Sequence, residues 1–250
     1  MGSRIGQAKV VRLLPFPLTP MFVSLPSRKK SGLRWATPVL FAALWIAFLW
    51  AATRPAETHH GLVLEWGALS GGLSTPEAWI GALSDGSALR LFTALFLHAD
   101  WAHLLGNLVF LLIFGLPAER TMGPWRFLLL FLVGGAFSNL AAALTIGAPE
   151  GVIIGASGAV SAVIGAYLAL FPRAKLGVVL PLGLFLEFVK APASLLIGIW
   201  ALLQVIFAYI GPAFGAVAWS AHIAGFLFGV VFALLVRAAI ARRLRKRQGY

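Results

Sequence analysis

The chain has 250 residues, of which 60% are hydrophobic and only 11% are charged, and its mean hydropathy is +0.91. A soluble domain of this size could not cover its surface with so few charges, so the composition favours a polytopic membrane protein. The absence of cysteine excludes disulfides and thiolate metal sites, and the clustering of the +12 net charge at chain ends and short loops argues against nucleic-acid binding.

Six apolar runs follow one another along the chain and predict membrane-spanning helices. Most approach the roughly 20 residues that cross a bilayer core. The fourth is shorter, as expected for a helix that begins below the membrane surface inside a bundle. We therefore predict an all-α polytopic membrane protein, with a poorly ordered cytoplasmic tail at 1–34, a six-helix membrane domain at 35–240 and a basic cytoplasmic tail at 241–250. The runs lie at 35–52, 98–117, 125–146, 156–171, 192–211 and 220–240.

Charged residues are distributed unequally between the two sides of this predicted bundle. The loops after the second and fourth spans and the C-terminal tail are basic, whereas the opposite side is mainly acidic. The positive-inside rule then places both termini in the cytoplasm. The compact six-span form, without organelle-targeting features, predicts a multi-pass protein of a bacterial inner membrane. The inner side would hold Arg120, Arg126, Arg173, Lys175, Lys190, Arg242, Arg243, Arg245, Lys246 and Arg247, and the outer side Glu57, Glu65, Glu77, Asp85 and Glu150 with Arg54 and Arg90.

Two segments are less regular than the spans. Residues 53–90 form a long outer loop in which Trp66 and Trp79 lie among apolar and glycine residues, a composition typical of an element lying in the membrane interface. Residues 176–190 are apolar but contain Pro181 and Gly183. We expect a re-entrant or interfacial excursion there, and an extra span is the alternative.

Polar residues converge near the outer ends of three spans. With both termini inside, spans two, four and six run from outside to inside, which places His103 and Asn107, Ser157 and His222 at similar depth. A single serine in an apolar helix is often bonded to a backbone carbonyl, and a single histidine is often interfacial. Polar groups in a bilayer are costly, so the joint pattern predicts a functional site.

Serine chemistry is the kind of proteolysis that these residues allow. The sequence contains no His-Glu-x-x-His motif for zinc, so no metal is expected. Its only aspartates, Asp85 and Asp100, lie in or beside outer segments and cannot form a carboxylate pair on two facing helices. A serine hydroxyl needs a neighbouring base, which predicts Ser157 as nucleophile and His222 as general base. No aspartate is placed to orient His222, so we expect a dyad rather than a triad.

Glycines accompany both members of this dyad. Gly155 and Gly158 flank Ser157 and would leave space for a substrate carbonyl. Gly225 and Gly229 form a small-xxx-small face that would let two helices pack closely. This spacing alone is weak evidence for close helix packing, and it is informative here because it begins one turn after His222.

Donors for a developing oxyanion are also available. His103 and Asn107 share a helix face because they are four residues apart. They and the Ser157 backbone N–H would stabilise negative charge at the start of span four, where the helix dipole favours it. The alternative for Asn107 is a bond between helices.

The chain resembles the rhomboid family of intramembrane serine proteases over roughly residues 90–240. Four motifs carry the resemblance, in the order in which the family has them. They are the segment from Phe92 to Asn107 (FTALFLHADWAHLLGN), Glu119-Arg120-Thr121-Met122-Gly123, Gly155-Ala156-Ser157-Gly158, and the segment from Ala221 to Gly229 (AHIAGFLFG).

The resemblance implies a six-transmembrane-helix bundle whose outer loop between helices 1 and 2 is embedded in the membrane, with a water-filled cavity open to the outer side. It implies the roles given above for Ser157 and His222 and an oxyanion hole lined by His103 and Asn107. It further places His98 at the cavity mouth and implies that Glu119 holds the inner loop between spans two and three. The family usually has an aromatic ring four residues after the nucleophile, where this chain has Ser161. His222 would therefore lose ring support or gain a hydroxyl contact.

We thus predict an endopeptidase that cleaves transmembrane segments of other membrane proteins near their outer ends, without a cofactor. Its partners would be those substrates and the lipid bilayer. The competing hypothesis is a non-catalytic relative that binds or recruits membrane proteins. A transporter is disfavoured, because it would carry charges halfway across broken helices in paired repeats.

Overall fold

The computed structural model describes residues 34–69, 75–145, 151–182, 185–210 and 218–248. The predicted N-terminal tail lies outside these ranges except for Arg34. Helices dominate the described residues. They are α1 (Ala36–Ala52), α2 (Ala56–Trp66), α3 (Pro76–Ser84), α4 (Arg90–Thr93), α5 (Trp101–Phe110), α6 (Leu116–Met122), α7 (Pro124–Thr145), α8 (Ser157–Leu170), α9 (Ala193–Ile210) and α10 (Trp219–Gln248), with strands β1 (Ala68–Leu69), β2 (Val152–Ile153), β3 (Lys175–Leu182) and β4 (Phe185–Pro192).

Each of the six predicted apolar runs overlaps at least one of these helices. A π-helical turn at Leu111–Gly115 joins α5 to α6, so that Trp101–Met122 is one continuous helix. This helix, α7, α9 and α10 are long and apolar enough to cross a membrane. The helices α1 and α8 are shorter, with 17 and 14 residues. The prediction of a mostly helical structure built on long apolar helices is therefore confirmed.

The segment 176–190 forms strands, a secondary structure that the sequence analysis did not predict. Strands β3 and β4 pair as an antiparallel hairpin, in register from Lys175 opposite Pro192 to Leu182 opposite Phe185. Pro181 lacks the N–H that a helix interior needs, and the valine and phenylalanine content of the segment favours strands. The all-α description is corrected to mostly helical at this hairpin.

The described part of the segment between α1 and α5 is folded and attached to the chain that leads to Ser157. Strand β1 pairs with β2, with Ala68 opposite Ile153, four residues before the serine. The Thr93 hydroxyl donates to the Trp66 carbonyl at 2.7 Å. The described part of this segment thus supports the chain that leads into α8.

Helix α8 lies at the centre of the core. Ten consecutive residues, 158–167, are buried, and the helix packs most extensively against α10 and α7. Glycines allow this close contact, because a Cβ built at Gly229 would overlap the Ala162 carbonyl and one built at Gly225 would overlap the Gly158 carbonyl. The small-xxx-small face of α10 therefore lies directly on α8.

Glu119 has a different position from the one that the family resemblance implied. Its side chain is fully buried, and its two carboxylate oxygens each accept a backbone N–H at 2.9 Å, from Ala36 and from Thr37. A carboxylate at a helix N-terminus satisfies free N–H groups and complements the helix dipole. Glu119 thus caps α1 and fixes it to α6. The neighbouring turn is held from α10, where Arg243 Nη1 donates to the Thr121 carbonyl at 2.9 Å.

Candidate active site

Ser157 and His222 meet across the α8–α10 contact. Ser157 is the first residue of α8, and His222 lies in the first turn of α10. The Oγ of Ser157 is 2.8 Å from Nε2 of His222. Two residues 65 positions apart in the sequence are therefore within hydrogen-bond distance, because the glycines bring their helices into contact at this level.

A third side chain contacts the histidine from α9. The Nδ1 of His222 is 2.7 Å from Oε1 of Gln204. An amide oxygen can only accept, so Nδ1 carries the ring proton and Nε2 is left as the acceptor for the Ser157 hydroxyl. The Nε2 of Gln204 donates to the Trp200 carbonyl at 3.4 Å, which agrees with this orientation of the amide.

The polar residues of the candidate site line one cavity of about 270 Å³. It lies between the N-terminal parts of α5, α8 and α10 and the side of α9 that carries Trp200 and Gln204, and aliphatic and aromatic side chains complete its walls. Five of the residues predicted from the sequence line it, together with Gln204, which the sequence analysis did not single out. The five are His103, Asn107, Ser157, Ser161 and His222.

Donors are available beside the serine hydroxyl. Asn107 is buried, and its Nδ2 donates one hydrogen to the His103 carbonyl at 3.0 Å, which leaves the second amide hydrogen for another acceptor. The Ser157 N–H belongs to the first turn of α8, where backbone N–H groups have no partner within the helix. Helix α5 is itself positioned by Asp100, whose side chain caps it by accepting the His103 N–H at 2.8 Å.

His98 lies behind the serine turn and not in the cavity wall. It is 3% exposed, and its Nε2 is 3.5 Å from the Ala156 N–H, which donates to it. The ring therefore supports the backbone beside Ser157, which differs from the cavity-mouth position implied by the resemblance.

Gly155 has the backbone that the predicted site requires. Its φ is +110°, a conformation that side chains other than glycine rarely adopt. A Cβ there would also overlap the ring of His103, and the Gly155 N–H donates to the Ala94 carbonyl at 2.8 Å. The turn that presents Ser157 therefore depends on glycine for both its conformation and its space. Gly158 has a related role, because a Cβ there would overlap Ser138 of α7.

The ring support of His222 comes from an unexpected residue. Ser161 is buried, and its hydroxyl donates to the Ser157 carbonyl at 2.7 Å, so the alternative of a hydroxyl contact with His222 is not what the structure shows. The ring of Trp219 instead packs edge-on against His222, with centroids 5.7 Å apart, and stacks on Phe207 at 4.9 Å. An aromatic ring three residues before the histidine thus replaces the one missing at position 161.

Two residues of the site were missed in the sequence, Gln204 and Trp219. The signal for Gln204 was present, since it is the one amide in the mainly apolar helix α9. Trp219 gave no signal, because the chain has nine tryptophans and most suit a membrane interface equally well.

Comparison with known proteins agrees with the motifs. The sequence profile of the Rhomboid domain matches residues 85–239. The "Putative rhomboid protease YdcA" of Bacillus subtilis (strain 168) is 34% identical over 133 residues, which are 52% of this chain and 57% of that protein. Two Arabidopsis thaliana proteins are similar, "RHOMBOID-like protein 5" with 29% identity over 154 residues (54% of this chain, 50% of that protein) and "Rhomboid-like protein 11, chloroplastic" with 34% over 151 residues (59% and 52%).

The chain spans about half the length of these curated relatives, between 50% and 57%. The matched domain, by contrast, covers more than half of this chain and contains the serine, the histidine and the helices that position them. The chain therefore belongs to the rhomboid family and is a multi-pass integral membrane protein.

Proposed function

We propose that the protein is an intramembrane serine endopeptidase that cleaves transmembrane segments of other membrane proteins near their outer ends. The observation that carries the proposal is the 2.8 Å contact between Ser157 Oγ and His222 Nε2 at the wall of a shared cavity. A nucleophile and a base at this separation, beside free N–H donors, are the groups that acyl transfer needs.

The reaction follows from the hydrogen bonds at the site. Ser157 Oγ attacks the substrate carbonyl carbon while its proton passes to His222 Nε2. The tetrahedral intermediate collapses, the C–N bond breaks, and Nε2 returns the proton to the leaving amine. Water, deprotonated by the same nitrogen, then attacks the acyl carbon and releases Ser157.

The negative oxygen of the intermediate would be stabilised by three donors. These are the Ser157 N–H at the start of α8, the remaining Asn107 amide hydrogen and the ring N–H of His103, which lines the same cavity. The helix dipole of α8 adds to their effect, because positive partial charge is concentrated at a helix N-terminus.

The membrane placement belongs to the same proposal. The membrane domain would cover residues 35–240, with α1, the continuous helix Trp101–Met122, α7, α8, α9 and α10 as six spans. Both termini would face the cytoplasm of a bacterial cell, and the cavity would open to the outer side. The segment between α1 and α5 would lie in the outer leaflet. A substrate helix must unwind there to expose a carbonyl, since its backbone groups are already paired.

The function is tested by cleavage of a reporter transmembrane segment in proteoliposomes. The reporter carries glycines near its outer end, because glycine weakens a helix. We expect the wild type to cut and Ser157→Ala to be silent while its thermal unfolding is unchanged. If both proteins bind the reporter and neither cuts any of several weakened segments, a non-catalytic client-binding protein becomes the better hypothesis.

Asn107→Ala is expected to lower turnover by about 10²–10³-fold, the usual effect of removing one oxyanion donor. The substrate KM should change little, because the bond forms mainly in the transition state. Turnover of the same reporter measures both. Leu105→Ala is the matched control, since Leu105 adjoins the same turn of α5, is 46% exposed and does not line the cavity. Equal losses in the two variants would assign the effect to helix α5 in general and not to the amide.

A further inference from the structure

The amide of Gln204 is an unusual group in its helix. Of the 18 residues of α9, three are buried, and they lie on one face: Ala193, Ile197 and Gln204. Gln204 is 7% exposed and is the one polar residue of these three. Placing an amide inside a membrane protein is costly unless its hydrogen bonds are made, and such groups mark functional positions.

Both polar atoms of this amide are engaged, and one of them engages the catalytic histidine. Oε1 lies 2.7 Å from His222 Nδ1, and Nε2 donates to the Trp200 carbonyl of the same helix. The acceptor therefore faces the ring. No aspartate or glutamate occurs in α7, α8, α9 or α10, so an acidic side chain cannot do this from within these helices.

We propose that Gln204 is the positioning residue of the site, completing a Ser157–His222–Gln204 relay. By accepting the Nδ1–H, it fixes the tautomer in which Nε2 has its lone pair toward the serine, the state that a general base must have. A neutral acceptor orients the ring as an aspartate would but stabilises the imidazolium less. This inference rests on the proposed function.

The hydrogen bond between His222 and Gln204 makes the orientation of the base depend on where α9 lies. Helix α9 contributes few buried residues, and its contact with α8 is much smaller than the contact between α10 and α8. Gln204 is the polar contact of α9 with the dyad, so the orientation of the histidine depends on the position of α9 beside α10. Gln204 thus acts through His222 and does not touch the reacting atoms.

Two variants of similar length separate the hydrogen bond from packing. Gln204→Met fills the space without an acceptor, whereas Gln204→Glu keeps one. Ile199→Met introduces the same new residue on the exposed face of α9 and is the control. We expect Gln204→Met to lower kcat for the reporter, and the rate of labelling by a fluorophosphonate, by about 10–100-fold with KM within twofold, because the buried Nδ1–H of His222 is left without an acceptor.

Gln204→Glu distinguishes the hydrogen bond from packing, because a purely packing role would not predict recovery in this variant. Gln204→Glu should regain most of the labelling rate lost in Gln204→Met. Its carboxylate would also stabilise the imidazolium, so the ring would lose its proton only at higher pH and the acid limb of the pH–rate profile should move upward. A wild-type rate in Gln204→Met, or equal slowing in both variants, overturns the assignment.

A spectroscopic measurement keeps this inference separate from the proposed function. In ¹⁵N-histidine-labelled protein, the His222 signals are identified by their loss in His222→Ala. We expect His222 to carry its proton on Nδ1 in the wild type and in Ile199→Met, with that N–H signal lost or shifted in Gln204→Met. An Nε2-protonated His222 in the wild type overturns the role of Gln204. Wild type that is neither labelled nor able to cut, but has the Nδ1–H signal, overturns the protease and not the contact.

Discussion

Alanine in place of His222 is expected to reduce cleavage of the reporter segment by roughly 10⁴–10⁶-fold, the loss seen when a nucleophile–base unit is broken. Without Nε2 at 2.8 Å, the Ser157 proton has no acceptor and the leaving amine has no donor. The residual rate would come from the oxyanion donors and from substrate binding. Single-turnover cleavage in proteoliposomes, with enzyme in excess, measures the chemical step without interference from product release.

The double variant Ser157→Ala, His222→Ala tests whether the two residues act as one unit. We expect it to be no slower than either single variant, because each single change already removes the covalent route. His60→Ala is the control, since His60 is exposed on α2 and should cut like the wild type. A second, multiplied loss in the double variant would show that histidine and serine contribute separately, and the relay would then be misassigned.

The sequence was sufficient for the parts of this site that are fixed by local chemistry. Ser157 and His222 were recognisable because a serine and a histidine at the ends of apolar spans are costly, and their glycines indicated close helix contact. Gly155 illustrates why this succeeds. The need for φ of +110° and for space beside His103 is met by one residue type, so the sequence itself records the geometry.

Other parts depend on contacts that no local pattern specifies. The contact of Gln204 with His222 can be recognised only once α9 is known to lie beside α10. From the sequence alone, an amide in a span is equally compatible with a hydrogen bond between helices. Glu119 was expected to hold the inner loop between spans two and three, and its carboxylate accepts from residues 83 and 82 positions away. The hairpin of β3 and β4 was missed because a short apolar run has no distinctive period, and Pro181 could equally indicate a break in a helix.

The packing of α10 on α8 is the feature on which the whole site depends. Ser157 and His222 lie on different helices, so their separation is set by the distance between helix backbones. Gly229 lies at that contact, and a Cβ there would overlap the backbone carbonyl of Ala162, which cannot move aside as a flexible side chain could. The two helices must then separate at this level, and the separation extends along α10 toward His222.

Gly229→Ala is accordingly expected to destabilise the fold by about 1–3 kcal/mol, the usual effect of overpacking a filled core. It should also lower turnover by about 10²-fold, because a misplacement of about 1 Å at reacting atoms has that effect. Thermal unfolding in detergent and reporter cleavage are the two measurements. Gly198→Ala is the matched control on α9, where a Cβ meets nothing within 4 Å, and it should be neutral or slightly stabilising because alanine favours a helix. If Gly229→Ala has the same unfolding temperature and cleavage rate as this control, the helices tolerate a wider spacing. The 2.8 Å contact between Ser157 and His222 is then not maintained by the glycine face.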